Sequence, residues 1–594
     1  MRERISFDPF VLPFTLGLIF FLTYFLVWII RILSELKPEE RRTLGKSLFG
    51  PKIGSSLKEI FLECLFHRKI WMKNPMLGYM HSSIAFGWFM LILLGHIEVW
   101  LYVPHRTNLY YPIFFRYFVM QTDETLRGAL FFFLMDFFLL MVLSGVFLAM
   151  YKRINSRFLG MRRTTRHSLG DTLAMYSLWF IFPMRLFAES FTSDIGGGSF
   201  LTRGFGLLIE SFASDDALIL PSWWGYSLSL GIFMVALPFS RYMHIPTEVV
   251  LILLRNAGIR SERSQTGYAR AETLACSRCG ICIDPCQMGS AARMNGSTSV
   301  YFMRKLRGKK PEAQISANEC MMCMRCVEAC PVGIDSCRLK QALRTEKSFP
   351  ENFNHAYLPE FDSPKTEVLY FAGCMGHLTP AVPKAMTTIL KTAGISFRFM
   401  DKDGSICCGR PLILAGGIRA AQSVIEANRT LIEKSEASVL VTSCPICYRV
   451  FREEYGLNIR VLHHTEYLEE LLQKNAIQIF KKPLKVVYHD PCELGRGSGV
   501  YEPPRKVLEQ VVQLLPSPDH REKALCCGGS IGSLTLDLKR RRKITRDAWT
   551  RLTVNQPDLL ITACPLCQKT FSSHQGNKVQ DIAQIVAGAL HREE

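Results

Sequence analysis

The residues of this chain best equipped for chemistry are its cysteines, 20 in 594 residues. Eight of them form two runs of the pattern C-x-x-C-x-x-C-x-x-x-C. The first run is Cys276, Cys279, Cys282 and Cys286; the second is Cys320, Cys323, Cys326 and Cys330, followed by Pro331. This spacing specifies two cubane [4Fe–4S] clusters, because three closely spaced thiolates wrap one face of a cluster and the fourth reaches the neighbouring one. It pairs Cys276, Cys279 and Cys282 with Cys330, and Cys320, Cys323 and Cys326 with Cys286. Zinc also accepts C-x-x-C, but four ligands per ion leave the third cysteine of each run unexplained. Gln287 stands where the first run would ordinarily carry proline.

Ten further cysteines form two sets of five: Cys374, Cys407, Cys408, Cys444 and Cys447, then Cys492, Cys526, Cys527, Cys564 and Cys567. Each set has one cysteine after a strand-like run, an adjacent pair before glycine, and a C-P-x-C. Adjacent side chains diverge, so a Cys-Cys pair suits a multinuclear cluster in which each sulfur finds a different iron. The glycine after the pair allows close backbone approach. Cys64 and Cys337 remain, and both read as structural thiols.

The elements that must hold these sets are short β-branched runs alternating with helical stretches from Thr366 onward, an α/β pattern. The pattern also repeats. Val-Leu-Tyr-Phe-Ala-Gly-Cys374 returns as Val-Val-Tyr-His-Asp-Pro-Cys492, and Leu-Val-Thr-Ser-Cys444-Pro-Ile-Cys447 returns as Leu-Ile-Thr-Ala-Cys564-Pro-Leu-Cys567. Repetition on this scale predicts two homologous lobes.

The first 250 residues differ in kind. Five apolar stretches, at about 10–31, 76–101, 128–151, 170–190 and 223–241, are each near the roughly 20 residues that cross a bilayer as a helix. The loop after the first carries Lys37, Arg41, Arg42, Lys46, Lys52, Lys58, Arg68, Lys69 and Lys73, and the loop after the third carries Lys152, Arg153, Arg157, Arg162, Arg163 and Arg166. The alternate loops hold few basic residues, such as Arg106, Arg116 and Arg203. The positive-inside rule then puts the N-terminus outside and everything after the fifth span in the cytoplasm. Thiols arranged for metal in a reducing compartment agree with that orientation.

His81 begins the second span and His244 follows the fifth, both at the cytoplasmic side, where two imidazoles at one depth can clamp a b-type haem. His96 lies about 22 Å further along its helix, with no histidine at that depth on another span; His105 is a loop candidate. His67 and His167 read as bland. Asp136 and Arg185 are ionisable groups in apolar helices; they read first as a structural pair, second as a proton path or quinone site.

The net charge of +19 raises nucleic acid, membrane surface or an acidic partner as possibilities. No nucleic-acid motif is present, and many basic residues flank the membrane stretches. The run Lys539, Arg540, Arg541, Arg542, Lys543 reads as a solvated helix face, and second as a docking patch for an acidic protein. The N-terminal apolar run is too long, and lacks the small-residue site, for a cleaved signal.

Three resemblances follow from these motifs. The membrane half, with His244 after Pro238-Phe239, resembles the cytochrome b component of respiratory nitrate reductase, which implies two haems; only one matched histidine pair is present here. The cluster runs, with 33 residues between Cys286 and Cys320, resemble the helical ferredoxin domains found beside heterodisulfide reductase and fumarate reductase modules. The pattern C-x32-C-C-x35-C-x-x-C, followed by C-x33-C-C-x36-C-x-x-C, resembles the duplicated cysteine-rich domain of heterodisulfide reductase catalytic subunits. That last resemblance implies a non-cubane [4Fe–4S] cluster in each lobe and assigns all ten cysteines a catalytic part. The whole order resembles electron-transfer-flavoprotein:menaquinone oxidoreductases and, less closely, the iron–sulfur subunits of glycolate and glycerol-3-phosphate dehydrogenases.

The expected architecture is therefore a five-helix transmembrane cytochrome b domain (1–250), a helical ferredoxin domain (251–350), and two α/β cysteine-rich lobes (365–480 and 481–594). The expected function is membrane-bound electron transfer from a soluble cytoplasmic flavoprotein, an electron-transfer flavoprotein, to the menaquinone pool. Two other readings stand beside it: a quinol-linked disulfide reductase, and a redox-sensing membrane protein without turnover. No flavin-binding G-x-G-x-x-G follows a strand, so flavin belongs to the partner. Iron and acid-labile sulfide analysis of anaerobically isolated protein should return about 16 iron atoms per chain if all four clusters fill; zinc in their place would refute the cluster reading.

Overall fold

A backbone among apolar side chains satisfies its own polar groups by closing into helices, and the described residues of the apolar N-terminal part are mostly helical. The structure is a computed structural model and describes residues 7–102, 110–119, 125–155, 165, 167–210, 215–260, 267–345 and 366–590. It divides into two compact units. One comprises Met1–Arg260 and Gln265–Gly280; the other comprises Ser261–Ser264 and Ile281–Glu594. The boundary falls inside the first cysteine run, so Cys276 and Cys279 belong to the first unit, and Cys282 and Cys286 to the second.

In the first unit, four helices among the described residues are long and apolar enough to cross a membrane: Pro9–Glu35, Pro75–Tyr102, Leu126–Ile154 and Ala217–Phe239. Their outward faces remain apolar, as at Leu16, Val27, Phe133 and Phe147. The expected fourth span also forms a helix, Leu169–Ser190, started by a capping box of Ser168 and Asp171, but it is not among these four. Its charged residues lower its hydropathy, and Asp171, Arg185 and Glu189 are all buried inside the unit. This helix packs against Asp215–Ala236, which packs in turn on Leu12–Glu35, while Pro75–Tyr102 packs on Leu126–Ile154.

The expected Asp136–Arg185 pair does not form. Asp136 instead accepts hydrogen bonds from the backbone N–H groups of Ser199, Leu201 and Thr202, and from the Thr202 hydroxyl. It thereby caps the helix Thr202–Glu210, whose first N–H groups have no partner within the helix. Arg185 pairs with Glu189 at 2.8 Å, and Arg116 with Glu98 at 2.9 Å. His105 and the basic residues Arg106, Arg157, Arg162, Arg163 and Arg166 lie outside the described residues.

The second unit begins with short helices, among them Ser299–Arg307, Glu312–Glu319, Arg325–Ala329 and Ser336–Thr345, which frame the second cysteine run. Two four-stranded parallel sheets follow. The first has the order β2-β1-β3-β4, with β1 Val368–Phe371, β2 Phe397–Phe399, β3 Val439–Thr442 and β4 Arg460–His463. The second has the order β6-β5-β7-β8, with β5 Lys485–His489, β6 Gln513–Leu515, β7 Leu559–Thr562 and β8 Val579–Asp581. β1 and β3 are buried along their whole length, as parallel strands covered on both faces must be. Each sheet therefore presents the C-terminal ends of its two central strands together, and that is where the cysteines emerge.

The helices Leu12–Glu35 and Asp215–Ala236 cross at glycine: a Cβ on Gly17 would stand 2.7 Å from the Gly231 carbonyl oxygen. Small residues at such a crossing let two membrane helices approach closely. Gly17→Leu should destabilise the first unit by about 1–3 kcal/mol, the usual scale of overpacking, read as a lower melting temperature of detergent-solubilised protein.

Candidate iron–sulfur and haem sites

In the first lobe, Cys374 follows β1 through Gly373, whose φ of 78° lies in the left-handed region. A Cβ at Gly373 would stand 2.9 Å from the Cys447 sulfur, so glycine leaves the room these thiols need. Asp401 fixes the turn by accepting from the N–H groups of Ala372 and Gly373 at 2.8 and 2.7 Å. Cys444 follows β3 as the N-cap of helix Pro445–Glu453. Proline at the first helical position costs no hydrogen bond, and it puts Cys447 in the first turn as well. Both thiols thus sit at a helix N-terminus, where hydrogen bonds to Cys408 and Cys444, together with burial, push the Cys447 thiol up. Cys564, Pro565 and Cys567 repeat the arrangement after β7, on helix Pro565–Gln575.

The adjacent pairs are pinned through their carbonyls. Asn428 donates to the Cys407 carbonyl at 2.8 Å and Tyr455 to that of Cys408 at 3.2 Å. In the second lobe, Thr545 donates to the Cys527 carbonyl at 2.8 Å. The sulfurs then meet. Cys408 takes hydrogen bonds from Cys407 and Cys447, which draw its thiol well below the ordinary range, and Cys447 also bonds Cys444. Cys374 is exposed at the edge of this group. In the second lobe Cys526 is within hydrogen-bonding reach of Cys492 and Cys527, and Cys567 bonds both Cys527 and Cys564.

Cys526 reaches one sulfur more, that of Cys323, whose thiol is held down to about 6, first by that hydrogen bond. The second cysteine run and the second lobe are in contact through these two thiols. Cys286, Cys320, Cys323, Cys326 and Cys526 line one cavity. The loop around Cys320 wraps tightly: Met322 and Met324 have φ of 53° and 60°, left-handed values that cost non-glycine residues about 1–3 kcal/mol each. Arg278 and Gly280 repeat them at the matching positions of the first run, with φ of 55° and 91°. Such turns aim backbone N–H groups inward, as Met322 does to the Cys320 sulfur at 3.4 Å. Among the described residues no group of three or more His, Cys, Asp or Glu side chains is arranged to hold a single metal ion. Thiols, inward N–H groups and a backbone bent around them fit a cluster whose ligands bind different irons.

Three residues near this cavity escaped the sequence reading. Cys337 is no isolated structural thiol: it hydrogen-bonds both Cys320 and Cys326. Lys340, 2 % exposed, hydrogen-bonds Cys320 and lies over the Phe302 ring at 5.2 Å. Both belong to the helix Ser336–Thr345, and their three-residue spacing, one helical face, was the available signal. Gln287, noted only as a missing proline, accepts from the Cys526 N–H at 2.7 Å and donates to the Cys526 carbonyl and to Asp547.

In the first unit, His81 donates from Nδ1 to the Leu77 carbonyl at 2.8 Å and His244 from Nδ1 to the Arg241 carbonyl at 2.6 Å. A carbonyl can only accept, so each ring keeps its lone pair on Nε2, the atom a metal would take. His67, read as bland, stands with its ring 5.4 Å from that of His81. His96 is similarly bonded to the Ile92 carbonyl, on an exposed face.

Comparison with known proteins places this geometry. Residues 272–334 match a 4Fe-4S dicluster domain, and residues 368–452 and 486–572 each match a cysteine-rich domain named CCG. The chain is 27% identical over 401 residues to the D polypeptide of the dihydromethanophenazine:CoB–CoM heterodisulfide reductase of Methanosarcina acetivorans, covering 55% of this chain and 96% of that protein. It is 23% identical over 509 residues to the EtfAB:quinone oxidoreductase of Syntrophomonas wolfei, covering 65% of this chain and 71% of that one. The B polypeptide of the fumarate reductase (CoM/CoB) of Methanothermobacter marburgensis is 25% identical over 332 residues, covering 49% of this chain and 66% of the relative.

Charge beside a cluster sets its potential. Lys340→Met, which removes the ammonium next to Cys320, should move one iron–sulfur midpoint to more negative potential in an EPR-monitored titration, while Lys340→Arg holds it. Midpoints that do not move would show that Lys340 acts only in packing.

Proposed function

We propose that this chain, an iron–sulfur oxidoreductase related to the D polypeptide of heterodisulfide reductase and to EtfAB:quinone oxidoreductase, passes electrons from a cytoplasmic electron-transfer flavoprotein to menaquinone in the cell membrane. The observation that carries the reading is the contact of Cys323 with Cys526, which joins the dicluster region to a cysteine-rich lobe at the sulfur atoms themselves. In this reading the chain has the four parts 1–250, 251–350, 365–480 and 481–594, with the two lobes arising by duplication; their identical strand orders support that origin. The five helices of the first part form one bundle, with Leu169–Ser190 as its shielded member. The N-terminus is outside and the cysteines face the cytoplasm.

Cys276, Cys279, Cys282 and Cys330 would hold one cubane, and Cys320, Cys323, Cys326 and Cys286 the other. Cys374, Cys407, Cys408, Cys444 and Cys447 would hold one non-cubane cluster, and Cys492, Cys526, Cys527, Cys564 and Cys567 a second. His81 and His244 would hold a haem b through Nε2. When bound, these groups supply one-electron steps in series, which let a two-electron donor in the cytoplasm exchange with a two-electron quinone. The protein's own part is position and potential. Gln287 clamps the Cys526 backbone against the second run, Arg496 donates to the carbonyls of Cys323 and Ala524 at 2.7 Å each, and helix N-termini position the thiols of the C-P-x-C motifs. An apolar groove of about 600 Å³ between the helices of the first unit, lined by Pro13, Gly17, Leu173, Gly231 and Phe239 among others, is of the size that small-molecule sites have and supports a quinone as membrane partner.

A second reading, a quinol-driven reductase of thiol disulfides, is favoured by one observation: Cys374 is exposed, so the first lobe opens its thiols to a soluble substrate. Direction separates the two readings. In anaerobic stopped-flow absorbance, reduced electron-transfer flavoprotein should reduce the haem rapidly, and a menaquinone analogue should reoxidise it. Haem that stays oxidised with the flavoprotein, but is reduced by menaquinol and reoxidised by a small disulfide, would establish the disulfide reductase instead.

A further inference from the structure

The run of five basic residues at 539–543 is sorted by the helix that carries it, Leu538–Leu552. Asp537 caps the helix, accepting from the Arg540 N–H at 2.8 Å. Arg541 turns inward and is spent on structure, donating to the carbonyls of Leu536, Ser530 and Ser533. Lys539, Arg542, Lys543 and Arg546 recur at the spacing of one helical face and are exposed. None of these four pairs with an acidic side chain among the described residues, whereas Arg540 pairs with Asp537 at 3.1 Å. Leu534 and Leu538, 43% and 71% exposed, add apolar surface at the start of the same face.

The opposite face of this helix touches the redox thiols. Ile544 is fully buried and packs with Cys526, Met288 and Met321. It also lines the cavity that holds Cys286, Cys320 and Cys323. The next residue, Thr545, bonds the Cys527 carbonyl, and one turn further Ala548 lies in the core that contains Cys527, Cys564 and Cys567. Asp547 receives the Gln287 amide. A single helix, about 10–12 Å across with its side chains, therefore separates a bare cationic surface from the junction of Cys323 and Cys526.

We propose that the outward face of Leu538–Leu552, formed by Lys539, Arg542, Lys543 and Arg546 with Leu534 and Leu538 beside them, is the docking surface for an acidic one-electron protein carrier. Charge complementarity selects the partner, since unpaired cations steer an anionic protein and raise its rate of encounter. The apolar pair at the rim gives the encounter a dry contact, and the thiols one helix beneath would hold the iron–sulfur cluster that accepts the electron. The inference deepens the flavoprotein reading, on which it rests for the natural partner, but the surface itself is defined without it.

The test uses the full-length, cluster-loaded protein in nanodiscs and two acidic probes, reduced electron-transfer flavoprotein and reduced flavodoxin. The variant is Lys539→Glu, Arg542→Glu, Lys543→Glu and Arg546→Glu together, with Arg541 untouched; a Gln version serves where the reversed charges impair folding. Iron content and reduction by dithionite verify that each variant is loaded. The wild-type second-order rate of cluster reduction should fall steeply with salt. The variant should be slower by about tenfold or more at low ionic strength, and its rate should lose most of its salt dependence. Equal rates for wild type and variant at every salt concentration would overturn the surface and leave the flavoprotein reading intact. Steered reduction by flavodoxin alone would keep the surface and remove that reading. Failure of both probes to reduce the wild type, or a rate that follows the anionic lipid content of the nanodisc and not these charges, would overturn the surface as a carrier site.

Discussion

The second cysteine run and the second lobe are joined at one contact, the meeting of the Cys323 and Cys526 sulfurs. Thiols from two parts of a chain 203 residues apart in sequence do not stay together by their own attraction. They are held by hydrogen bonds that leave the backbone no freedom: Gln287 on the Cys526 N–H, Arg496 on the Cys323 carbonyl, and Ser530 on the Met321 carbonyl. The Cys526 N–H is shielded from water, so losing its partner would cost about 1–3 kcal/mol. That cost is what makes the junction rigid, and a rigid junction is what a relay of electron carriers requires.

The two lobes use the same local physics but are not equivalent. In both, a parallel strand ends in Cys-Pro and a helix begins, so two thiols come to rest at a helix N-terminus. In both, an adjacent cysteine pair is anchored through its carbonyls. Among the described residues the second lobe meets the second cysteine run thiol to thiol, the first lobe meets it through Arg449 on the Met324 sulfur, and Cys564 lies close enough to Cys444 of the first lobe for their charges to interact. The first lobe carries the exposed member, Cys374. With Cys374 exposed, the first lobe has the more open thiol set.

The membrane half follows a different rule, the cost of charge among apolar helices. Glu98, Arg116, Asp136, Arg185 and Glu189 are all buried, and each meets an opposite charge or a row of backbone donors. Asp136 illustrates the economy of such a solution: a carboxylate that would be costly against lipid satisfies three N–H groups at the start of another helix. The polar side chains that Leu169–Ser190 carries into the interior lower its hydropathy and leave it outside the set of helices apolar enough to cross a membrane.

The sequence by itself determined the chemistry and the elements. Cysteine spacing is set by how few residues can wrap one cluster, alternation of short apolar runs with helical stretches is set by the parallel sheet, and apolar length is set by bilayer thickness; each is a local constraint that one chain segment must satisfy. Hence the α/β character of the C-terminal part and the helical character of the first half were legible from residue order; that the sheets are parallel was not. What only the tertiary structure decided is who meets whom. Cys337 and Lys340 beside Cys320, Gln287 on Cys526, Asp136 capping a helix and not pairing with Arg185, and the inward turn of Arg541 from a run of like charges all depend on elements distant in sequence. Spacing along a chain constrains neighbours on one turn or one strand, whereas contacts between elements are fixed by packing and by the need to satisfy every buried polar group, and neither can be read from one segment alone.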